Sequence, residues 1–342
     1  MARLILHIGT HKTASTMIQN TLFKNRDLLA THGVIYPALG KHTGHHGLLM
    51  DWLALPAAYQ LPKGGLGTLR TLAAEYVETD KTLFLSSEEF SRGGGTSGRV
   101  DMAELRTIFE GFDSVSVLCL LREQWQFLQS VYLEIARNRQ PPRPPTLVQT
   151  ALSTGMVDGP WCSYGSLYDQ LLDGFSPNEI HFVDYAQASG HQGGILGVVL
   201  SFLELPFGSE ALSAVKDGTS NVSPRALPKW ASFAIAGGHT ADPGLLDAIE
   251  TAFDLEFGTD RKSCLFTRAE IKGLSDHFAP LNALLEKRVA ETQPGFHISS
   301  TLPPPDAIYR EDITAPFWLR AARRIYYRKS GFKQLLFQEQ AG

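Results

Sequence analysis

Between a short apolar run and an amphipathic segment the chain reads Gly9-Thr10-His11-Lys12-Thr13-Ala14-Ser15-Thr16. The chemistry these residues suit is anion binding. The first amides of a helix have no partner inside it, and the helix dipole favours negative charge there. Lys12 adds a cation, and Thr13, Ser15 and Thr16 add hydroxyl donors. The segment is not a nucleoside-triphosphate loop, which needs a glycine directly before its Lys-Ser/Thr; here His11 precedes Lys12. The plain alternative is a strand-to-helix turn with a Ser or Thr cap.

A second group lies at Arg122, directly after the apolar run Val115–Leu121. A guanidinium there can meet phosphate in bidentate fashion. Ser130 follows eight positions later, a little over two helical turns, on nearly the same helix face. The alternative for Arg122 is a surface ion pair. A third group is Ser86-Ser87-Glu88-Glu89-Phe90, at the end of another apolar run and just before the glycine-rich stretch Ser91–Arg99, which reads as a mobile loop. Its carboxylates could be helix N-terminal acids stabilised by the dipole, or they could face chemistry. His45 and His46 form a rival pair in a glycine-containing loop; with no third ligand at a recognisable spacing they do not read as a metal site. His7 reads as a core histidine.

These groups need a frame. Leu4–Ile8, Val34–Tyr36, Thr82–Ser86, Val115–Leu121 and Ile180–Val183 are short, almost wholly apolar strand candidates. Helical patterns lie between them at Ser15–Leu29, Leu66–Val77, Met102–Phe112 and Trp125–Arg137, then near 146–154, 163–173 and 193–204. Strands alternating with helices predict an α/β fold, a central parallel sheet flanked by helices, with a helical C-terminal half. Pro141, Pro142, Pro144 and Pro145 predict a stiff extended linker. In such sheets ligands sit beyond the carboxyl ends of the strands, so the three groups fall where ligands bind.

Composition narrows the class. The chain has 342 residues, 43% of them hydrophobic, and a formal net charge of −4. That is enough for a large core and argues against charge-driven nucleic-acid binding. Cys119, Cys162 and Cys264 stand far apart in no metal-ligand spacing, so no disulfide framework or metal is expected. No run approaches a membrane span. The expectation is a cytoplasmic protein, with membrane contact at most peripheral through the basic stretch Trp318–Phe337, which carries Arg320, Arg323, Arg324, Arg328, Lys329 and Lys333. One domain is expected over 1–300, with an extension over 301–342.

Taken together, the first two segments resemble the PAPS-dependent sulfotransferases, which use 3′-phosphoadenosine-5′-phosphosulfate as donor. In that family the first strand is followed by a loop similar to Pro-Lys-Ser/Thr-Gly-Thr-Thr that binds the 5′-phosphosulfate; His11, Lys12, Thr13, Ala14, Ser15 and Thr16 occupy those positions. An Arg ending a later strand, with a Ser eight residues on, binds the 3′-phosphate, as Arg122 and Ser130 would. The clear resemblance covers roughly 3–30 and 115–138. It extends more faintly to Tyr185, at the place of a Tyr that packs on adenine, and to Asn221 and Ser223, at the place of an Asn-x-Ser that closes over the nucleotide.

The resemblance implies a P-loop-like fold and sulfuryl transfer to an acceptor hydroxyl, releasing PAP without a metal. Lys12 would balance charge on the bridging oxygen, and Glu88, with Glu89 second and His45 or His46 as rivals, would take the acceptor proton. A carbohydrate or glycolipid acceptor is expected from the family, with a small alcohol or phenol open. Two departures stand out: His11 replaces Pro, and Ala14 replaces Gly. Ala14 fits easily at negative φ; at positive φ it would cost on the order of 1 kcal/mol. The alternatives are a kinase-type phosphotransferase on the same fold and a non-catalytic nucleotide-binding module.

Overall fold

The computed structural model describes residues 1–95, 98–215, 225–237 and 239–329. The chain divides into two compact units, one of residues 1–127, 150–218 and 276–300, the other of 128–149, 219–275 and 301–342.

The first unit holds a five-stranded sheet of β1 (Arg3–His7), β2 (Val34–Ile35), β3 (Thr82–Ser86), β4 (Ser114–Leu121) and β5 (Ile180–Asp184). The strand order is β2-β3-β1-β4-β5, with every pair parallel. Side chains alternate between two apolar layers. Leu4, Leu6, Leu83, Leu85, Val115, Val117 and Cys119 enter one. Ile5, Phe84, Leu118 and Leu120 enter the other, against Ile18 and Leu22 of α1 (Ser15–Lys24). Burial on both faces is why these strands read as continuous apolar runs.

The register brings the chemistry to one edge. β1 lies between β3 and β4, with His7 opposite Ser86 on one side and Leu118 on the other. β4 runs on past β1, and the turn after β1 stays paired to it: the Ile8 amide donates to Leu118 O at 3.0 Å and the Thr10 amide to Leu120 O at 2.9 Å. Across the sheet the Ser87 amide donates to His7 O at 3.0 Å. Leu121 pairs with Asp184, so Arg122 and Tyr185 leave the sheet side by side.

Some elements differ from the pattern in the sequence. The segment 15–29 is not one helix but α1 followed by α2 (Arg26–Thr31), parted at Asn25. The Asn25 side chain donates to Thr21 O at 2.8 Å and accepts from the Ser213 amide at 2.8 Å, a local alternative to the helical ladder. Two further helices are α3 (Gly65–Tyr76) and α4 (Met102–Ile108), and α5 (Gln124–Asn138) follows β4. Pro144 and Pro145 open α6 (Pro144–Thr154) rather than extending the linker, since a missing amide costs nothing in a first helical turn. Then come α7 (Tyr164–Leu172), α8 (Tyr185–Gly190) and α9 (Gly194–Phe202).

The second unit packs α10 (Ala226–Ala236), α11 (Pro243–Phe257) and α13 (Ala315–Lys329) around Leu227, Ile249, Phe253, Phe317 and Ala321. A parallel pair, β6 (Ser263–Cys264) with β7 (Ile308–Tyr309), joins it; nothing in the sequence pattern pointed to these strands. The helix α12 (Arg268–Val289) follows β6. Arg328 pairs with Asp247 at 3.0 Å and Arg320 with Glu256, so part of the basic C-terminal stretch serves to dock α13. Lys333 and Phe337 lie outside the described residues. Among the described residues no helix is long and apolar enough to cross a membrane.

His7 and His45 are among the buried histidines of the first unit. His45 Nε2 donates to Pro37 O at 2.8 Å while its Nδ1 accepts from the Ser86 amide at 2.9 Å. His7 Nδ1 lies 2.8 Å from Ser86 Oγ. Burial lowers both from 6.5 to about 4. Between those values the unfolded chain binds more protons than the folded one, so stability rises with pH. Lowering the pH from 6.5 towards 4 should therefore destabilise the protein by about 1.4 kcal/mol per pH unit for each histidine. Urea midpoints measured across this window test this, with a shallower slope in His45→Gln; a flat wild-type profile would contradict neutral burial.

Candidate active site

The turn after β1 is shaped from inside. Thr13 is buried and its hydroxyl donates to Thr10 O at 2.6 Å; Ser15 Oγ lies 3.5 Å from the same oxygen. Gly9 has φ 84, and a Cβ there would lie 2.9 Å from Glu88 Cβ, so a side chain is excluded on both counts. Lys12 and Ala14 also have left-handed backbones, φ 65 and φ 67. Ala14 is the residue that precedes α1, and no side chain caps that helix; no acid lies in its first turn. The first-turn amides of Ser15, Thr16 and Met17 therefore have no partner within the helix. Thr16 is exposed and Lys12 half-buried.

Arg122 is fixed from several directions. Its Nη1 donates to Lys12 O at 3.2 Å and its Nε to Gln126 Oε1 at 3.2 Å. Its guanidinium lies 4.8 Å from the centre of the Tyr185 ring, a cation–π contact. The Tyr164 hydroxyl donates to Arg122 O and receives its amide at 3.3 Å. Tyr185 is placed by Asp184, which caps α8 through the Gln187 amide at 2.9 Å and accepts from Ser299 Oγ at 2.7 Å. The structure thus brings the lysine turn, Arg122 and Tyr185 together.

The two carboxylates after β3 differ. Glu89 pairs with Arg92, whose Nη1 also donates to Asp158 O at 3.1 Å. Glu88 instead accepts from Gln19 Nε2 at 2.9 Å, from the buried face of α1. Burial pushes the Glu88 carboxyl up, but His46, His11, its own amide and Gln19 together outweigh that and hold it below the usual carboxylate range. His11 Nε2 lies 3.8 Å from Glu89 Oε2; burial lowers its pKa, against the opposing pull of Glu89 and Glu88. His46 Nδ1 lies 2.8 Å from Ser87 Oγ. His45 has both ring nitrogens engaged by backbone groups and serves the fold.

Ser130 lies on α5, in the second unit. Asn221 and Ser223 lie outside the described residues. The glycine-rich stretch is pinned on both flanks, by the Gly93 amide to Gly159 O at 2.9 Å and by a bridge between Leu53 and Gly98; residues 96 and 97 lie outside the description. Gln19, Gln126 and Tyr164 were not anticipated. Gln19 had a signal, a polar residue on the apolar face of Ile18 and Leu22; Tyr164 had none. Among the described residues, no group of three or more His, Cys, Asp or Glu side chains is arranged to hold a metal.

No family model and no curated protein matches this chain. Among solved structures it is similar to a sulfotransferase from Alicyclobacillus acidocaldarius, at 10% identity over 83% of this chain and 94% of that one, TM-score 0.42. It is also similar to a sulfotransferase domain from the curacin biosynthetic pathway, at 12% identity over 82% and 98%, TM-score 0.40. A third is a mouse sulfotransferase complexed with PAP, at 11% identity over 85% and 89%, TM-score 0.41.

The positive φ of Ala14 is the costly case foreseen for that position. Ala14→Gly should stabilise the protein by about 1 kcal/mol. Gly9→Ala should destabilise it, because it adds the clash with Glu88 to an unfavourable backbone. Paired denaturation midpoints test both; equal midpoints for Ala14→Gly and wild type would show that the turn carries no such strain.

Proposed function

We propose that this chain is a sulfotransferase that moves a sulfuryl group from PAPS to an acceptor hydroxyl, with a carbohydrate or glycolipid as acceptor, and releases PAP. The observation that carries this reading is the hydrogen bond from Arg122 to the Lys12 carbonyl, because it joins two anion-binding motifs into one site. A donor with a sulfonate, two phosphate groups and a purine needs separate cations and an aromatic face. Lys12 with the first-turn amides, Arg122, and Tyr185 offer these. Ser130 joins them on spacing alone, and Asn221 and Ser223 on the family resemblance.

In the reaction the acceptor oxygen forms a bond to sulfur while the bond from sulfur to the 5′-phosphate oxygen breaks. Lys12 balances charge on the departing phosphate oxygen. Glu88 takes the acceptor proton, a role supported by its place at the end of β3 and by its hydrogen bond from an amide rather than from a cation. Glu89, already paired with Arg92, is the weaker candidate. The remaining work is positioning and charge stabilisation, as in phosphoryl transfer.

Calorimetric titration with PAP, without added metal, tests the donor site. Wild type should bind PAP and discriminate against ADP, and Arg122→Ala should bind PAP about 10- to 100-fold more weakly, the worth of a charge-assisted contact. No PAP binding, or equal affinity for ADP, would overturn the reading.

A further inference from the structure

Beside Glu88 stands a wall of rings that the donor reading does not use. Tyr59 lies 4.9 Å from His46 and 4.6 Å from His42, centre to centre. His42 is exposed, Tyr59 half-buried and His46 buried. The wall is built in, not draped over the surface. Thr43 Oγ1 donates to Asn20 Oδ1 of α1 at 2.6 Å, and the Tyr36 hydroxyl donates to Thr43 O at 2.7 Å. Two glycines allow the close approach: a Cβ at Gly44 would lie 2.6 Å from Gln19 Oε1 and 2.7 Å from His46 Nε2, and one at Gly47 would lie 2.2 Å from Tyr59 O. The same Gln19 side chain holds Glu88.

Charge narrows what such a wall can take. The hydrogen-bond partner of Glu88 is a neutral amide, and Glu89 is spent on Arg92. Burial lowers the pKa of both His7 and His11. Burial, then the charges of Glu88 and Glu89, raise the pKa of Tyr59. An anionic acceptor would bring like charge towards the Glu88 carboxylate that Gln19 holds beside the wall; a neutral polyhydroxyl would not. The mixture of one aromatic face with imidazole and amide groups suits a ring with an apolar side and polar edges.

We infer that His42, Tyr59 and His46 form the acceptor subsite, and that it takes a neutral pyranose with its C–H face against the Tyr59 ring. This rests on the sulfotransferase reading for its role, though not for its binding. The test is saturation-transfer NMR on the full chain, with and without PAP, using methyl β-glucopyranoside, methyl β-glucuronide and 4-nitrophenol as probes at millimolar concentration. Transfer to the ring protons of the glucoside is expected in wild type and in Tyr59→Phe, weakened about tenfold in Tyr59→Ala, with the glucuronide weaker throughout. PAP affinity, measured in the same samples, should be equal in all three proteins, which also shows that the variants fold. No transfer to the glucoside in wild type, undiminished transfer in Tyr59→Ala, or preference for the glucuronide or the phenol would overturn the inference. Glucoside binding without PAP binding would leave the wall standing and remove the donor reading.

Discussion

A central strand with parallel neighbours on both sides has no freedom in where its following turn goes. β1 is in that position, and β4 outruns it, so the residues after His7 keep pairing with Leu118 and Leu120 as they turn away. On the other flank the Ser87 amide bonds to His7 O. Gly9 is therefore trapped between the end of β3 and the end of β4. Its missing side chain lets Glu88 approach, and its positive φ starts the turn that carries Lys12. Arg122 then reaches Lys12 from the next strand, and Tyr185 follows from the one after.

The site separates its charges. Lys12 and Arg122 gather where β1 and β4 end, while Glu88 sits at the end of β3, held by an amide. His11 lies beside Glu89, which pairs with Arg92. The proposed reaction, between a polyanionic donor and an acceptor that must lose a proton, needs opposite environments a short way apart. One α-helix borders both: the first turn of α1 follows the Lys12 turn, and Gln19, one turn on, holds the carboxylate.

Short continuous apolar runs made the sheet legible. Strands buried on both faces have few polar residues to blur them, so β1, β3, β4 and β5 could be read almost to their ends. Weaker local signals failed where a single side chain competes with the backbone, as Asn25 does inside an apolar helical pattern, or where pairing is only two residues long, as in β6 and β7. For the site, residue type at a strand end pointed to Lys12, Arg122 and Glu88. It could not separate Glu88 from Glu89, because the partners that distinguish them, Gln19 and Arg92, sit on different elements. It could not see Tyr164 at all, since a tyrosine that clamps a backbone across 42 positions leaves no mark on spacing.

The proposed reaction requires Glu88 to take a proton beside an intact donor site. The direct measurement is turnover of sulfur-labelled PAPS with a panel of neutral glycosides, for wild type and Glu88→Gln, with PAP affinity determined on the same preparations. With Glu88 as base, kcat should fall by about 10²- to 10⁴-fold while PAP affinity is unchanged. Undiminished turnover in Glu88→Gln, or a loss that follows PAP affinity, would contradict that role.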